Sequence, residues 1–274
     1  MTQSAGYVLG QTGRAARRLE IQDRQFAGPS ERLLDELGLR PTDRVVELGC
    51  GPGGLTRRIL RRLGADGVVV GVDASPGLLD QARAALSGDG PGRFEPVAGD
   101  ITSLGPWLDG ADVVIGRNVL HHVPMAELLV GRLRARLRPD TRVGLIEPDF
   151  RTPLARLAYL EATGRSELAP LRIWATAINQ LYLARRISPD VGATLGPAME
   201  AAGYRRVRSE WFEHPTDVSV VENFVMFYDE VGDTLAHLDI LTAAEVSEQQ
   251  RLLRALPATT LPAAWGAHLV TCES

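Results

Sequence analysis

The chain has 274 residues, a mass of 29.7 kDa, a formal net charge of −4 and an isoelectric point near 5.8. Its 45% apolar and 23% charged content is typical of a globular protein and excludes a wholly disordered chain, and its acidity argues against a general binder of nucleic acids. No apolar run approaches the roughly 20 residues that span a bilayer, and the first residues lack the order of a secretory signal, so we expect a cytoplasmic protein without a membrane span.

Two helices are predicted near the start of the chain, over residues 13–25 and, after Pro29, over 30–37. Beyond them, short runs rich in β-branched residues alternate with longer segments of helical periodicity. The predicted strands are 44–48, 68–73, 93–98, 112–116 and 142–147, and the predicted helices between them are 55–63, 75–86 and 125–137. This alternation predicts βαβ units, and therefore an α/β fold with a parallel sheet and helices on both of its faces.

The alternation of strands and helices breaks after residue 149. Residues 150–188 are helical in pattern and contain no predicted strand, whereas a helix at 189–202 and a strand at 205–213 resume the alternation. A second helical block at about 217–256 precedes a final strand at 267–272. We expect the two helical blocks to form a cap over the carboxyl ends of the strands and to enclose a site there.

The most informative stretch is VVELGCGPGG at 45–54, in which a predicted strand runs into a loop that contains four glycines. Glycines allow a sharp turn and the close approach of a ligand to the backbone, and the helix that follows offers free amides to a phosphate or a carboxylate. Residues 49–54 also fit the dinucleotide pattern GxGxxG, which is weak by itself. The alternative interpretation is a plain turn from a strand into a helix.

Two acidic residues follow the next two predicted strands. Asp73 ends VVVGVD at 68–73, where a carboxylate can accept both hydroxyls of a ribose, and Asp100 follows the third strand, where it could accept from an adenine amino group. An acid at a strand end can instead cap the next helix. Because open α/β sheets bind ligands at the carboxyl ends of their strands, the glycine loop and the two acids together favour a ligand site.

These motifs resemble those of the class I S-adenosylmethionine-dependent methyltransferases that act on small molecules. VVELGCGPG at 45–53 resembles the first motif of that family, GVDASP at 71–76 the second, GDI at 99–101 the third, and DVV at 112–114 with NVLHHV at 118–123 the fourth. The resemblance covers about residues 40–150 and implies S-adenosylmethionine as the cofactor. It also implies a Rossmann-like, seven-stranded, mostly parallel sheet with an antiparallel last strand.

The resemblance implies a division of one compact domain into four parts. Residues 1–40 would be an N-terminal helical cover, 41–149 the cofactor-binding core, 150–188 a helical insertion, and 189–274 the rest of the core with a second insertion at about 217–256. An N-terminal helix covers the cofactor in related small-molecule enzymes. The candidates for that cover are Tyr7, Arg18 and Gln22.

The resemblance also assigns cofactor contacts to individual residues. Those implied along the methionine portion of the cofactor are Gly49, Gly51, Gly53, Arg117 and Asn118. Glu47 would hold the glycine loop or the amino group of the cofactor. Those implied around the nucleoside are Asp73 on the ribose hydroxyls, Asp100 on the adenine amino group, and Ala74 and Ile101 against the adenine ring.

Methyl transfer from a sulfonium needs mainly alignment of the nucleophile and exclusion of water, but a hydroxyl acceptor also loses a proton. His121 and His122 follow the fourth strand, beside the expected position of the methyl group, and are the candidate bases; alternatively, they only cap that loop. Glu147 and Asp149 lie at the end of the fifth strand, and either acid could orient an acceptor; alternatively, Asp149 caps the helical insertion. The chain has two cysteines, too few for a multi-cysteine zinc site, and no metal is expected.

The leading hypothesis is an enzyme that transfers a methyl group to a small, apolar or natural-product-type metabolite, with a homodimer compatible with the sequence. The aromatic residues of the helical blocks that could line the acceptor pocket are Trp174, Tyr182, Phe224, Phe227 and Tyr228. One alternative binds the cofactor but catalyses a non-methylating step such as cyclisation, and another is a non-enzymatic partner subunit. A third is a nicotinamide-dependent oxidoreductase, although the absence of lysine excludes the Tyr-x-x-x-Lys dehydrogenases.

Overall fold

The computed structural model describes residues 13–214, 216–257 and 261–274, and for residues 13–17 the backbone alone. Its helices are α1 (Gly13–Gln25), α2 (Ala27–Leu37), α3 (Gly54–Leu60), α4 (Pro76–Ala85), α5 (Ala126–Arg136), α6 (Arg151–Ala162), α7 (Ala169–Ala184), α8 (Val191–Ala201), α9 (Val218–His237) and α10 (Ala243–Arg254). Its strands are β1 (Arg44–Leu48), β2 (Val68–Asp73), β3 (Arg93–Ala98), β4 (Val113–Arg117), β5 (Arg142–Asp149), β6 (Arg205–Glu213) and β7 (Gly266–Glu273).

These strands form one seven-stranded sheet in the order β3-β2-β1-β4-β5-β7-β6. The pairs from β3 to β5 are parallel, and β7 runs antiparallel to both of its neighbours. This arrangement confirms the Rossmann-like, mostly parallel sheet with an antiparallel last strand. The chain winds outward in one direction through β2 and β3 and then in the other through β4 and β5. The strand order therefore reverses between β1 and β4, and such a reversal leaves a crevice at the carboxyl ends of the strands.

The central strands are buried on both faces because successive side chains point to opposite sides of the sheet. Val45 of β1 belongs to one apolar core, which includes Ile59 of α3 and Trp174 of α7. The next residue, Val46, belongs to a second core on the other face, which includes Leu129 of α5. The edge strand β6 instead exposes most of its residues. The continuous apolar runs of the inner strands therefore predict their position in the sheet.

Most element bounds differ by one to three residues from those predicted, and three of the differences have a clear local reason. Helix α2 begins at Ala27, earlier than expected, because Pro29 lies in its first turn, where the missing N–H breaks no bond within the helix. Strand β5 continues to Asp149 because it stays paired with β7 along its length. The second helical block divides into α9 and α10, since Thr242 begins α10 with a capping box closed by Glu245.

The helices of the two predicted insertions pack on one another and on the end of β5. Helix α9 contacts α1, α7 and α10. The rings of Trp174 in α7 and Phe224 in α9 stack with centroids 3.8 Å apart. Phe150, directly after β5, meets Trp174 and Tyr182 edge-on at 6.1 and 5.6 Å. Within the described ranges, every helix is too short or too polar to traverse a lipid bilayer.

Gly192, near the start of α8, marks a very close approach of a helix to the sheet. A Cβ added there would lie 2.3 Å from the backbone oxygen of Glu147 in β5. We expect Gly192→Ala to lower the free energy of unfolding by about 1–3 kcal/mol, because α8 must shift to admit the methyl group.

Gly131→Ala, in the middle of α5, is the matched control for this substitution. An added Cβ at Gly131 has no neighbour within 4 Å, so alanine should raise the free energy of unfolding by about 0.5–1 kcal/mol through its better helix propensity. Urea denaturation of the two variants measures both effects. A stabilised Gly192→Ala variant would contradict the close packing of α8 on β5.

Candidate functional site

A cavity of about 840 Å³ opens at the carboxyl ends of β1, β2 and β4, where the strand order reverses. We call it the main cavity. Helix α1 forms one of its walls through Arg18, Gln22 and Asp23. Most of the residues predicted from the sequence motifs line this cavity. They are Gly49, Gly51, Asp73, Ala74, Asp100, Ile101, Arg117, Asn118, His121 and His122. The fold thus brings most of the predicted site residues to one place.

The glycine loop between β1 and α3 has a backbone that glycine adopts more readily than other residues. The φ angle is +64° at Gly49 and +53° at Gly51. A Cβ added at Gly49 would lie 2.4 Å from a methyl carbon of Val119, whereas one added at Gly51 would have no neighbour within 4 Å. Gly51 therefore presents bare backbone to the main cavity, and a ligand can approach it closely.

Gly53 is not among the residues that line the main cavity, and its contact with the cofactor stays a prediction. A Cβ added at Gly53 would lie 2.7 Å from the side chain of Leu86, so the residue faces the end of α4. Its φ of +90° makes the turn into α3. Pro52 and Gly54 line the cavity beside it.

Asp73 ends β2 at the edge of the main cavity. One carboxylate oxygen accepts a hydrogen bond from the Gly51 N–H at 2.9 Å, and the other accepts from the Ser75 N–H at 2.8 Å. Burial raises the pKa of Asp73, while these two amides act to lower it. The carboxylate is thereby fixed between the glycine loop and α4, and each oxygen keeps a lone pair for a hydroxyl of a ligand.

Glu47 lies under the glycine loop and not in the lining of the main cavity. Its carboxylate is buried and accepts a hydrogen bond from Oγ1 of Thr56, in the first turn of α3, at 2.6 Å. Burial raises the pKa of Glu47 to about 7. Of the two roles implied for Glu47, this contact supports the one in which it holds the loop.

Asp100, the predicted partner of an adenine amino group, also caps the short turn that follows it. Its Oδ1 accepts a hydrogen bond from the Thr102 N–H at 2.8 Å. The other carboxylate oxygen keeps its lone pairs for a donor on a ligand. Ile101 is buried, whereas Ala74 is exposed, and both line the main cavity.

An ion pair joins α1 to the end of β4 inside the main cavity. Arg117 donates from Nη2 to Asp23 at 2.8 Å and from Nη1 to Oγ of Ser30 at 2.9 Å. The cation of Arg117 and the anion of Asp23 thus lie side by side in the lining. An amino acid, which carries a carboxylate and an ammonium group, has a partner of opposite charge for each group there. Asn118 has a φ of +55°, and its buried Oδ1 accepts no hydrogen bond from the described residues. This buried acceptor is available to a hydrogen-bond donor.

A second, smaller cavity of about 40 Å³ adjoins the first, and we call it the small cavity. The residues that line both cavities, which we call the junction, are Arg18, Gln22, Asn118 and His121. The aromatic residues that line the small cavity are Phe150, Trp174, Tyr182, Phe224, Phe227 and Trp265. Of the aromatic residues predicted for an acceptor pocket, Tyr228 alone does not line the small cavity.

His121 is held at the junction by Glu147 of β5. Its Nδ1 lies 3.0 Å from Oε2 of Glu147, and its backbone N–H donates to the same oxygen at 3.1 Å. Burial raises the pKa of Glu147 to about 7. Burial and the charge of Arg18 lower the pKa of His121, so the imidazole is neutral at pH 7. A neutral imidazole is the form that a general base needs.

Arg18 of α1 and Glu230 of α9 form a buried ion pair at the junction. Nε of Arg18 donates to Oε1 of Glu230 at 2.8 Å, and the two side chains are 2% and 3% exposed. Nη2 of Arg18 is also buried and has no hydrogen-bond acceptor among the described residues. A buried donor of this kind is available to an oxygen atom.

His122 and Asp149 differ in their relation to the cavities. His122 lines the main cavity, with its ring centroid 3.9 Å from that of His121, and burial lowers its pKa. Asp149 is fully buried and lines neither cavity. Its Oδ1 accepts from the N–H groups of Arg151 and Thr152 at 2.8 and 3.1 Å, at the start of α6. Asp149 therefore caps α6, and its role toward an acceptor stays a prediction.

Some contacts of the site carry no local sequence signal. The position of Glu147 at the rim of the sheet was predicted, but its contact with His121, 26 residues away, was not. Asp23 reaches Arg117 across 94 residues of sequence, and no motif marks it. Phe150 was identifiable only by its position after a strand at the rim of the sheet. Tyr7, the remaining residue predicted for the cover, lies outside the described residues. The described part of the chain contains no group of three or more side chains that could hold a metal ion.

Residues 45–140 match the family model described as a methyltransferase domain. A trans-aconitate 2-methyltransferase of Variovorax paradoxus (strain S110) is 31% identical over 199 residues, which are 72% of this chain and 72% of that relative. The crystal structure of a cyclopropane synthase from Mycobacterium tuberculosis matches with a TM-score of 0.59 at 13% identity, over 90% of this chain and 84% of that one. The crystal structure of the cyclase SpnF matches with a TM-score of 0.57 at 16% identity, over 92% and 81% of the two chains. At these identities the structural matches concern the fold alone.

Proposed function

Because this chain belongs to the class I S-adenosylmethionine-dependent methyltransferases, we propose that it methylates an oxygen atom of a small, largely apolar molecule. S-adenosylmethionine is its cofactor, which supplies a methyl group bound to a positively charged sulfur. The observation that carries the proposal is the aromatic wall of the small cavity, which meets the main cavity at the junction. The main cavity, with about 840 Å³, takes the cofactor and the acceptor, and the apolar end of the acceptor faces the aromatic residues at the junction.

The residues of the main cavity fit this cofactor. The Asp73 carboxylate, fixed by two amides, receives the ribose hydroxyls, and Asp100 receives the adenine amino group. The bare backbone at Gly51 lets the cofactor approach the loop, where a side chain would stand in its way. The ammonium and carboxylate of the methionine portion have Asp23 and Arg117 as partners of opposite charge. This assignment leaves the sulfur end for the junction.

The aromatic lining of the small cavity supports an apolar acceptor. Rings of Phe150, Trp174 and Phe224 form much of its wall, and aromatic rings favour planar, apolar ligands through stacking and burial. Arg18 is the cation among the described residues of this wall, and Glu230 already neutralises it. A tricarboxylate would need several unpaired cations, because a buried charge without a partner is costly. The substrate named for the Variovorax relative is therefore disfavoured here.

Two side chains of the junction, Arg18 and His121, support an oxygen nucleophile. Buried Nη2 of Arg18 offers a hydrogen bond to an oxygen atom, and neutral His121 is placed to accept a proton from a hydroxyl. The chain otherwise contributes alignment: the aromatic wall and α1 exclude water and hold the acceptor in line with the methyl carbon and the sulfur. Alignment of this kind accounts for up to roughly 7–11 kcal/mol of a reaction barrier.

The experiment that tests this function is methyl transfer from isotope-labelled S-adenosylmethionine to three matched acceptors. Naphthol and naphthoate share an apolar planar body and differ in the acceptor group, and trans-aconitate carries three carboxylates without an apolar body. We expect label on naphthol. Label on trans-aconitate alone would overturn the proposal and favour the activity of the relative.

A second outcome concerns the non-methylating alternative, a cyclisation. An isomer that chromatography separates from its substrate, formed with S-adenosylmethionine bound and unconsumed, would favour it. Chromatography with mass spectrometry separates the two functions, because each methylation adds one methylene to the product and yields one molecule of S-adenosylhomocysteine.

A further inference from the structure

Glu147 is a fully buried acid whose two oxygens both face backbone and ring N–H groups. Oε1 accepts from the N–H groups of Val119 and Leu120 at 3.0 and 2.9 Å. Oε2 accepts from the N–H of His121 at 3.1 Å and lies 3.0 Å from Nδ1 of the same residue. Three of these contacts are backbone N–H donors, which stabilise the carboxylate and act to lower the pKa that burial raises. These donors favour the ionised form.

An ionised Glu147 determines which nitrogen of His121 carries the proton. Because a carboxylate cannot donate, the contact with Nδ1 is a hydrogen bond only if Nδ1 is protonated. In a neutral imidazole the proton on Nδ1 leaves Nε2 as the acceptor. His121 is neutral and lines both cavities, so that acceptor belongs to the junction.

We propose that Glu147 is a positioning residue, which fixes His121 in the tautomer with Nδ1 protonated and so makes Nε2 the base for a hydroxyl acceptor. The inference rests on the proposed function, and it narrows the acceptor from any oxygen nucleophile to an alcohol, phenol or enol. A carboxylate acceptor has no proton to lose and would meet an unfavourable lone pair at Nε2.

The charged and titratable groups around His121 are consistent with this role. From α1, Arg18 stands near the ring and is paired with Glu230 of α9; from α7, Tyr182 stacks at 6.0 Å; and His122 lies beside it. Arg18 disfavours an imidazolium before the reaction, while Glu147 compensates the charge that forms during it. Nη2 of Arg18 offers a hydrogen bond to the oxygen as it loses its proton.

The proposed step balances in atoms and charge. The O–H bond of the acceptor breaks and its proton passes to Nε2 of His121, while the oxygen forms a bond to the methyl carbon. The carbon–sulfur bond breaks and its electron pair stays on sulfur, which becomes a neutral thioether. The proton then leaves Nε2 for water as the products depart.

The first test is the tautomer of His121 in the unmodified protein, which needs no acceptor and no variant of Glu147. In protein made with nitrogen-labelled histidine, a correlation spectrum distinguishes protonated from unprotonated ring nitrogens, and a His121→Asn variant identifies the signals. We expect Nδ1 protonated and Nε2 bare at pH 7 in the complex with S-adenosylhomocysteine. A proton on Nε2 alone, or on both nitrogens, would overturn the inference while leaving the proposed function intact.

The second test compares Glu147→Gln with Asp149→Asn, which removes a buried carboxylate two residues away on the same strand. Glu147→Gln should shift His121 toward the other tautomer and lower the single-turnover rate with naphthol at least about tenfold. Asp149→Asn should leave the spectrum of His121 unchanged, because Asp149 contacts α6 instead. An unchanged tautomer in folded Glu147→Gln protein would contradict the positioning role.

The comparison of naphthol with naphthoate distinguishes a failure of the hydroxyl inference from a failure of the proposed function. If the enzyme methylates naphthoate but not naphthol, the hydroxyl inference fails and the broader proposal of an oxygen acceptor survives. If it methylates neither of these apolar acceptors, the proposed function fails for them, and the tautomer measurement still decides the role of Glu147.

Discussion

Substitution of Asp73 by alanine is expected to weaken the binding of S-adenosylhomocysteine by about 10²- to 10⁴-fold. The carboxylate would lose two charge-assisted hydrogen bonds to the ribose, each worth roughly 1.5–3 kcal/mol, and every 1.4 kcal/mol changes affinity about tenfold. The glycine loop would also lose the bond between Asp73 and the Gly51 N–H, which orders the backbone before the ligand arrives. Titration calorimetry measures the affinity directly and does not require an acceptor.

Asp80→Ala is the control for the loss of Asp73. Asp80 lies on the exposed side of α4, in an ion pair with Arg83, and does not line the main cavity. Asp80→Ala removes one negative charge near the site, as Asp73→Ala does. It should leave the affinity for S-adenosylhomocysteine within about twofold, since exposed ion pairs contribute little. Equal affinities of the Asp73→Ala variant and the unmodified protein would remove Asp73 from the cofactor site.

Substitution of His121 by alanine is expected to lower the single-turnover rate of methyl transfer to a hydroxyl acceptor by about 10²- to 10⁴-fold. The affinity for S-adenosylhomocysteine should stay nearly constant, because the ring serves the proton of the acceptor and not the cofactor. Rapid-quench measurement at saturating cofactor isolates the chemical step from binding and product release.

His237→Ala, at the exposed end of α9, is the control for His121. The competing interpretation, in which His121 only shapes the loop after β4, gives a different pattern. Weaker cofactor binding would then dominate, and asparagine at position 121 would restore much of the activity, since its side chain can still bond to Glu147. An unchanged single-turnover rate in the His121→Ala variant would exclude His121 as the general base.

The sheet and its glycine loop were predictable because their signals are local. A run of valines predicts a buried strand, and Gly49 and Gly51 mark a turn that other residues adopt with strain. Asp73 was predictable for the same reason, since its position at the end of a strand fixes its place at the edge of the sheet.

The remaining parts of the site depend on tertiary contacts that no local pattern contains. Gly53 looked like its neighbours in the loop, but the packing of Leu86 turns it away from the main cavity. Asp149 offered two roles, and the N–H groups at the start of α6 show the capping one. Glu147 reaches the His121 loop because β4 and β5 are paired in the sheet, a fact of topology rather than of spacing.

The buried pair of Arg18 and Glu230 ties α1, a wall of the main cavity, to α9, a wall of the small cavity. With the cofactor beside α1 and the acceptor beside α9, as proposed above, this ion pair offers a physical route by which one ligand affects the affinity for the other. Any such coupling is reciprocal: whatever factor the first ligand applies to the second, the second applies to the first.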